Sequence, residues 1–515
     1  MATTGIPTGD VLGNLWALDW VSRHLLEPTR LFAANIYYPD AHSLAYTESL
    51  LAQALVAGPL VASGVPLVAA YNVIWLLTFP LSGLGAFLLA RHVSGSSWGA
   101  ALAGMAYAFS SYRLESLAHI QTLSIQWFPF VLLFLLKSLE RPRVLNLVGL
   151  DAFVLLQALS SGYYAALLVP TLLIPMAFAV RRGGTQALTR VALALALAAL
   201  AAAPAFLPYW QAQRALDLRR HHNELVGWSA AWSSYLRPSA QLWSPTLAPL
   251  RRAFKDGPAF YPGTTVVVLT AAALLLRARS SRVFIALAAT GVLLSLGPEM
   301  HLGPWLVPGP YEALRSLPGF RLLRTPYRMA PMALVAFSAL AATGWAALEE
   351  RWASFRRWGW LLLLLATVEG GAIRTSLFGP MPEIAPFARW LADAPPGAVL
   401  EVPWTTYDAP AVYASVIHGQ RLVNGWGAFA PPRSIRLGTW GIRWPGPGAV
   451  HVLRGAGVRY VVVHTDRVPV NQRDRLAALD ALPRGVALVS QFGADRIYAI
   501  SVEGPADPPP TEGNP

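Results

Sequence analysis

The sequence predicts an α-helical polytopic membrane protein that ends in a small mixed α/β domain. Three observations carry this. Of the 515 residues, 55% are hydrophobic and only 13% are charged, with a mean hydropathy of +0.43, whereas soluble domains carry about 25% charged residues. Long apolar runs recur from residue 66 to residue 375, each near the length of about 17–25 residues that crosses a bilayer core of about 30 Å. Past residue 376 charges spread through the chain, and short β-rich runs replace the long apolar ones.

Residues 1–65 read as a first outer loop with membrane-surface helices. Among the carboxylates between Thr8 and Ser49 are Asp10, Asp19, Asp40 and Glu48, with aromatics between them. Leu12, Leu15, Trp16, Leu18, Val21, Leu25 and Leu26 recur near helical spacing. They predict a helix along the membrane surface, its Trp residues at headgroup level. Asp10 stands at the N-cap, and Asp19 and Arg23, four apart, can pair on the polar side.

Ten spans follow, at roughly 66–91, 97–112, 120–138, 143–159, 161–180, 188–209, 262–278, 282–297, 326–348 and 358–375. Alternate loops hold Arg91; Lys137, Arg141 and Arg143; Arg181, Arg182 and Arg190; Arg277, Arg279 and Arg282; then Arg351, Arg356 and Arg357. The opposite short loops, SSYRLESLAH and SSGYY, hold a single Arg between them. Basic loops face the cytoplasm. Residues 1–50, the long loops 210–261 and 298–325, and everything after about 376 therefore belong outside it. No signal peptide precedes Asp10, so a first transmembrane helix is expected upstream of Met1. The alternative, a crossing by residues 48–64, is short and interrupted by Gly58 and Pro59.

QALSSGYY at 157–164 predicts a tight helical hairpin. In the α/β domain, 376–502, the runs at 399–403, 458–464 and 496–501 predict strands, with a polar helix at 473–482. The tail at 503–515 is Pro-rich and reads as disordered.

Composition narrows the function. The net charge of +13 is almost all Arg, with no basic stripe interleaved with aromatics, so nucleic acid is not a partner. Without Cys there is no disulfide and no thiolate chemistry. No Walker loop, HExxH or GxSxG occurs, which argues against a cytosolic nucleotide-sugar donor.

Four constellations could carry chemistry, each with a plainer reading. Asp10 and Asp19 suit general-base work on a hydroxyl, or merely cap and pair. Glu115, His119 and Gln121 share the loop SYRLESLAHIQ; Glu115 and His119 are four apart and would share a helix face. They position an acceptor, hold a metal with Asp10, or cap two spans. His221, His222 and Glu224 are weak metal candidates in a loop that could equally be solvated. Arg219, Arg220, Arg321, Arg324 and Arg328 suit an anionic phosphate, which guanidinium binds bidentately, or anchor at headgroups. Tyr46, Glu48, Tyr163 and Tyr164 could line a cavity.

The Gly-Asp opening the first outer loop, the surface helix after it and the many spans resemble the GT-C superfamily of membrane glycosyltransferases. More narrowly, GDVLGNLWALDW, NIYYPDAHSLAYTE, SYRLESLAHIQ, QALSSGYY and GVRYVVVH are similar to YfhO-like and protein-mannosyltransferase-like bacterial membrane proteins. The resemblance implies transfer of a sugar from a polyprenyl-phosphate donor to a glycan, lipid or protein acceptor outside the cytoplasm, in cell-envelope glycan biosynthesis. It implies Asp10 as the catalytic base. The chain departs from the pattern in lacking the preceding helix and an adjacent Asp-Glu pair, since Val11 follows Asp10. No cofactor is assigned; a divalent cation and the acceptor class stay open. The rival readings are a transporter or flippase for lipid-linked glycans, which would need charged groups within the spans, and a non-catalytic assembly protein. Asp151 and Glu369 are the main such groups.

Overall fold

The structure, a computed structural model, describes residues 8–181, 183–278, 281–317, 319–370, 372–373, 383–468, 479 and 481–501. The helix expected at 473–482 falls almost wholly outside these residues, and the tail at 503–515 entirely so. The chain divides into two units. An α/β unit takes residues 1–68 and 379–515, and a helical unit takes 69–378. The first loop and the C-terminal domain, separate segments in the sequence reading, share one unit.

In the α/β unit, α1 (Thr8–His24) has Asp10 inside its first turn, not at the N-cap. Its apolar stripe is core: Leu15, Ala17, Leu18 and Val21 are fully buried. Trp16 is buried as well, and its Nε1 donates to Asn35 Oδ1 at 2.9 Å, so it is a packing residue of this unit. Next come α2 (Pro28–Leu31) and α3 (Leu51–Ala62), the latter burying Ala54 and Ala57.

The helical unit opens with α4 (Leu67–Ser94) and α5 (Ser97–Ala108), then two short helices, α6 (Ser111–Glu115) and α7 (Ile120–Leu123). It continues through α8 (Phe128–Glu140), α9 (Val144–Ser160), α10 (Gly162–Val180) and α11 (Thr185–Leu216). After α12 (His222–Gly227), α13 (Ala248–Ala253), α14 (Thr264–Leu275) and α15 (Ser281–Ser295) come α16 (Pro310–Leu314), α17 (Ala330–Arg351) and α18 (Gly359–Gly370). Its strands are β1 (Leu242–Trp243), the hairpin β2 (Glu299–Leu302) and β3 (Trp305–Pro308), and β4 (Ala372–Ile373), which pairs with β1.

An apolar helix stands at each of the ten expected places. Five segments, Leu67–Ser94, Ile120–Glu140, Gly162–Val180, Thr185–Leu216 and Pro326–Arg351, are long and apolar enough to cross a membrane. The other five helices run 12 to 17 residues, at or below the roughly 17 at the short end of what a crossing needs. The protein is a multi-pass membrane protein. Along α11, Leu193, Leu197 and Leu200 are exposed, as a lipid-facing helix surface requires.

At the centre, α17 is buried from Ala330 to Trp345 except at the half-buried Phe337. Small residues allow this, because close backbone approach replaces side-chain interdigitation where lipid removes the hydrophobic drive between helices. A Cβ at Gly99 of α5 would lie 2.9 Å from the Ala342 carbonyl oxygen, and one at Gly291 of α15 would lie 2.5 Å from the Ala333 nitrogen. At Gly344 it would overlap the Leu269 carbonyl of α14. Gly344→Val is therefore expected to force α14 and α17 apart, lowering stability by about 1–3 kcal/mol; a lowered thermal midpoint in detergent would show it, and an unchanged one would contradict the packing.

Loops that the charge alternation assigns to one side meet each other. Ser239 Oγ donates to Glu115 at 2.8 Å, Ser111 Oγ to the Tyr261 carbonyl at 3.0 Å, and the Arg220 amide to the Arg321 carbonyl at 3.1 Å. On the opposite loops, His92 pairs with Glu140 at 3.2 Å. The single Arg of SSYRLESLAH, Arg113, is fully buried. It donates to Ser82 Oγ (2.6 Å), Thr78 Oγ1 (2.8 Å) and the Leu123 carbonyl (3.0 Å), tying α6 to α4. Glu369 of α18 accepts from the amide and hydroxyl of Thr264, capping α14.

The α/β unit is completed by α19 (Pro386–Asp393), β5 (Ala398–Val402), α20 (Ala409–His418), β6 (Arg421–Leu422), α21 (Pro432–Gly441) and α22 (Pro447–Gly455), followed by β7 (Val458–His464), β8 (Val486–Phe492) and β9 (Asp495–Ile500). The sheet order is β6-β5-β7-β9-β8, parallel over the first three strands and antiparallel at β9 and β8. The segment Asn35–Tyr38 runs beside β6: the Leu422 amide donates to the Asn35 carbonyl (2.7 Å) and the Tyr38 amide to the Leu422 carbonyl (2.9 Å).

Three of these strands bring together a buried triad. His464 at the end of β7 meets Glu401 of β5 through Nε2 (2.9 Å) and Asp495 of β9 through Nδ1 (2.7 Å). Both ring nitrogens face carboxylates, which calls for the charged imidazolium. Burial opposes that charge, but the hydrogen bonds to Asp495 and Glu401 and the Glu401 charge outweigh it, raising His464 to about 9. A folded pKa above the unfolded value of about 6.5 means stability that is full below pH 6.5 and lost as pH rises through 9. Nearby His418, lowered to about 4 by burial, and Asp408, raised to about 6 by burial and by Glu401, change charge mainly below pH 7. Between pH 7 and 9 the unit should lose about 2 kcal/mol. The thermal midpoint should fall across that window in the wild type and stay flat in His464→Gln; a flat wild-type profile would contradict the triad.

Candidate functional site

In the helical unit the turn between α9 and α10 is as tight as expected, with Ser161 alone between the helices. It places Tyr163 in the first turn of α10. The Tyr163 hydroxyl accepts from the Arg324 amide at 2.9 Å and faces Thr325 Oγ1 at 3.4 Å. Its ring lies under the Arg328 guanidinium, 4.4 Å from the ring centroid. Tyr112, Tyr164 and Tyr327 are within electrostatic reach of the same cation, and the Tyr112 and Tyr164 hydroxyls bond each other at 3.0 Å.

Arg324 stacks over Trp228, 5.0 Å from the centroid, and its Nε stands 4.0 Å from Glu224 Oε1. Arg220 pairs with the same oxygen at 3.0 Å. One carboxylate thus faces two guanidiniums. Arg328 has no ion pair among the described residues, and its Nε is buried without a hydrogen-bond partner. Among the described residues, three Arg face one Glu, a surplus of positive charge among aromatic faces. Such a group is suited to an anion that accepts several hydrogen bonds at once.

The remaining expectations resolve one by one. Arg219 points away, exposed and paired with Asp217 at 3.0 Å. Glu115 ends α6 while His119 stands at the cap of α7, so the two do not share one helix face; the chain turns between them. Glu115 instead accepts from Ser239 and from the Ala240 amide, both at 2.8 Å, anchoring the long loop. Gln121 is buried. Of the three weak metal candidates, His222 pairs with Glu299 at 2.8 Å and Glu224 with Arg220, while His221 is exposed. No group of three His, Asp or Glu among the described residues is placed to hold a metal ion. Trp228 was not singled out from the sequence; its only signal was the Trp-rich loop.

Asp10, Asp19 and Glu48 belong to the α/β unit. Asp19 is buried and bonded to Arg23 at 2.8 Å; burial raises its pKa against the pull of Arg23. That is the plainer of its two readings. Asp10 is half-buried in the first turn of α1, where the helix dipole favours a carboxylate. Glu48 is half-buried.

No protein-family model matches the chain, and no curated protein does. Among solved structures, the oligosaccharyltransferase of Archaeoglobus fulgidus in its apo form aligns over 90% of this chain and 67% of its own, with 11% identity and a TM-score of 0.53. The archaeal oligosaccharyltransferase AglB from Archaeoglobus fulgidus, in complex with an inhibitory peptide and a dolichol-phosphate, aligns over 88% of this chain with 10% identity and a TM-score of 0.50. The fold is the GT-C fold. The chain spans 66% of the AglB chain's length. At these identities the likeness is one of GT-C architecture; it does not single out the YfhO-like branch. Within the GT-C fold, the Tyr163, Arg324 and Arg328 cluster is formed by loops of the helical unit that the sequence placed on a common side.

Proposed function

We propose that the protein is a GT-C-type glycosyltransferase that moves a sugar from a polyprenyl-phosphate-linked donor to an acceptor outside the cytoplasm. The observation that carries this is Arg328, a cation on an aromatic face with no ion pair among the described residues. The solved AglB complex contains a dolichol-phosphate, itself a polyprenyl phosphate. Arg328 and Arg324 would take the phosphate, and Tyr163 would fix both, one through its ring and one through its hydroxyl. Asp10 would accept the proton of the acceptor hydroxyl. The acceptor oxygen then attacks the anomeric carbon, the bond from that carbon to the phosphate oxygen breaks, and the arginines hold the charge left on the departing lipid phosphate. The long loops and the α/β unit are assigned to the outer face by the Arg alternation.

Radiolabelled undecaprenyl phosphate added to full-length protein in lipid nanodiscs tests the anion assignment. Saturable binding that unlabelled undecaprenyl phosphate displaces and neutral undecaprenol does not is the expected result. Absence of saturable binding, or equal displacement by the alcohol, would remove the observation on which the reading stands.

A further inference from the structure

In the α/β unit the chain passes from β5 through α20 to β6 on one side, then through α21 and α22 to β7 on the other side of β5. The strand order reverses between β5 and β7. In open α/β sheets ligands bind beyond the carboxyl ends of the strands at such a reversal. Glu401 and His464 sit at those ends, one on each flanking strand. A cleft of about 80 Å³ opens there, lined by Glu401, Phe387, Tyr413, Ala414 and Ile417, with Arg467 among its residues.

Glu401 is 2% exposed. Its Oε2 accepts a hydrogen bond from His464 Nε2 at 2.9 Å, while Oε1 is buried and accepts no hydrogen bond among the described residues. With His464 charged, Glu401 and Asp495 leave one net negative charge in the triad. A buried charge with an unused acceptor is costly unless a cation or donor meets it. Arg467 is exposed and makes no ion pair with Glu401. The other walls are mostly apolar. The volume, on the order of three waters' share, suits an ammonium and the first carbons of its stem.

We propose that this cleft binds a primary alkylammonium group, with Glu401 Oε1 as its acceptor and His464 and Asp495 fixing the Glu401 carboxylate. The proposal does not depend on the glycosyl-transfer reading. The amine could belong to a peptide lysine or to a lipid headgroup, which share this chemistry.

Calorimetric titration of the full-length protein in detergent with n-butylammonium chloride tests it, with sodium butyrate and 1-butanol as comparisons. Saturable binding of the ammonium alone is expected. Glu401→Gln should weaken it at least tenfold. Because that variant also touches the triad, Ala414→Leu provides a second: it fills the cleft from α20, leaves Glu401 and His464 in place, and should weaken binding as much. No saturable binding by the wild type, undiminished binding by Ala414→Leu, or equal binding of 1-butanol would overturn the proposal. Repeating the titration with an end-blocked lysine and with short-chain phosphatidylethanolamine distinguishes the two sources; binding of either supports the site.

Discussion

Arg328→Gln is expected to lower sugar transfer from a polyprenyl-phosphate donor by about 10²–10³-fold while the protein still folds. The magnitude is that of removing one preorganised group from charge that develops in the transition state. The physical reason is local. Arg220 and Arg324 share Glu224, so part of their charge is already spent at home, and Arg328 carries the uncompensated share. Among the described residues its Nε is buried without an acceptor and it has no ion pair, so a neutral amide there leaves no group in its place and disturbs none of the ion pairs described. Arg328→Lys keeps the charge but loses the flat stack on Tyr163 and the forked donors; an intermediate loss of about tenfold is expected. Steady-state transfer rates for the three proteins decide the matter. Equal rates in wild type and Arg328→Gln would return Arg328 to headgroup anchoring.

The second large effect is expected at Asp10. Asp10→Asn removes the base but keeps the size and much of the polarity of the side chain in the first turn of α1. Transfer should fall by about 10²–10⁴-fold, the usual range for a positioned proton acceptor, with binding of undecaprenyl phosphate unchanged. This split separates proton removal from phosphate binding. An Asp10→Asn protein that transfers sugar at the wild-type rate would make Asp10 a helix-terminal carboxylate only, and would move the base elsewhere. A variant that lost both transfer and lipid binding would speak for a structural role.

The helical framework was legible because hydropathy is a local property: each apolar run reports its own environment, and the Arg residues between runs report the loops. What failed needed partners far away in sequence. Trp16 looks like an interfacial tryptophan, yet Asn35 accepts its indole proton and Asn35 in turn faces the Gln420 carbonyl; nothing near Trp16 in the chain announces that. Glu115 and His119 have helical spacing, but α6 stops at Glu115 because the chain must turn to bury Arg113 against α4. His222 adjoins His221 and Glu224 in sequence but bonds to Glu299, 77 positions away. The triad of Glu401, His464 and Asp495 is spread over separations of 63 and 31 positions, and only the crossed strand order assembles it. In the candidate site, the Arg residues were visible as residue types; that Arg220 and Arg324 share Glu224 while Arg328 has no ion pair among the described residues required coordinates.

The measurement that tests the central claim most directly is sugar release from a panel of radiolabelled polyprenyl-phosphate sugars by the full-length protein in lipid. Turnover with at least one donor, reduced in Arg328→Gln and in Asp10→Asn, is the predicted result. Saturable donor binding with no release from any donor, even with lipid, glycan and peptide acceptors supplied, would contradict a transferase and leave a lipid-linked glycan carrier in its place.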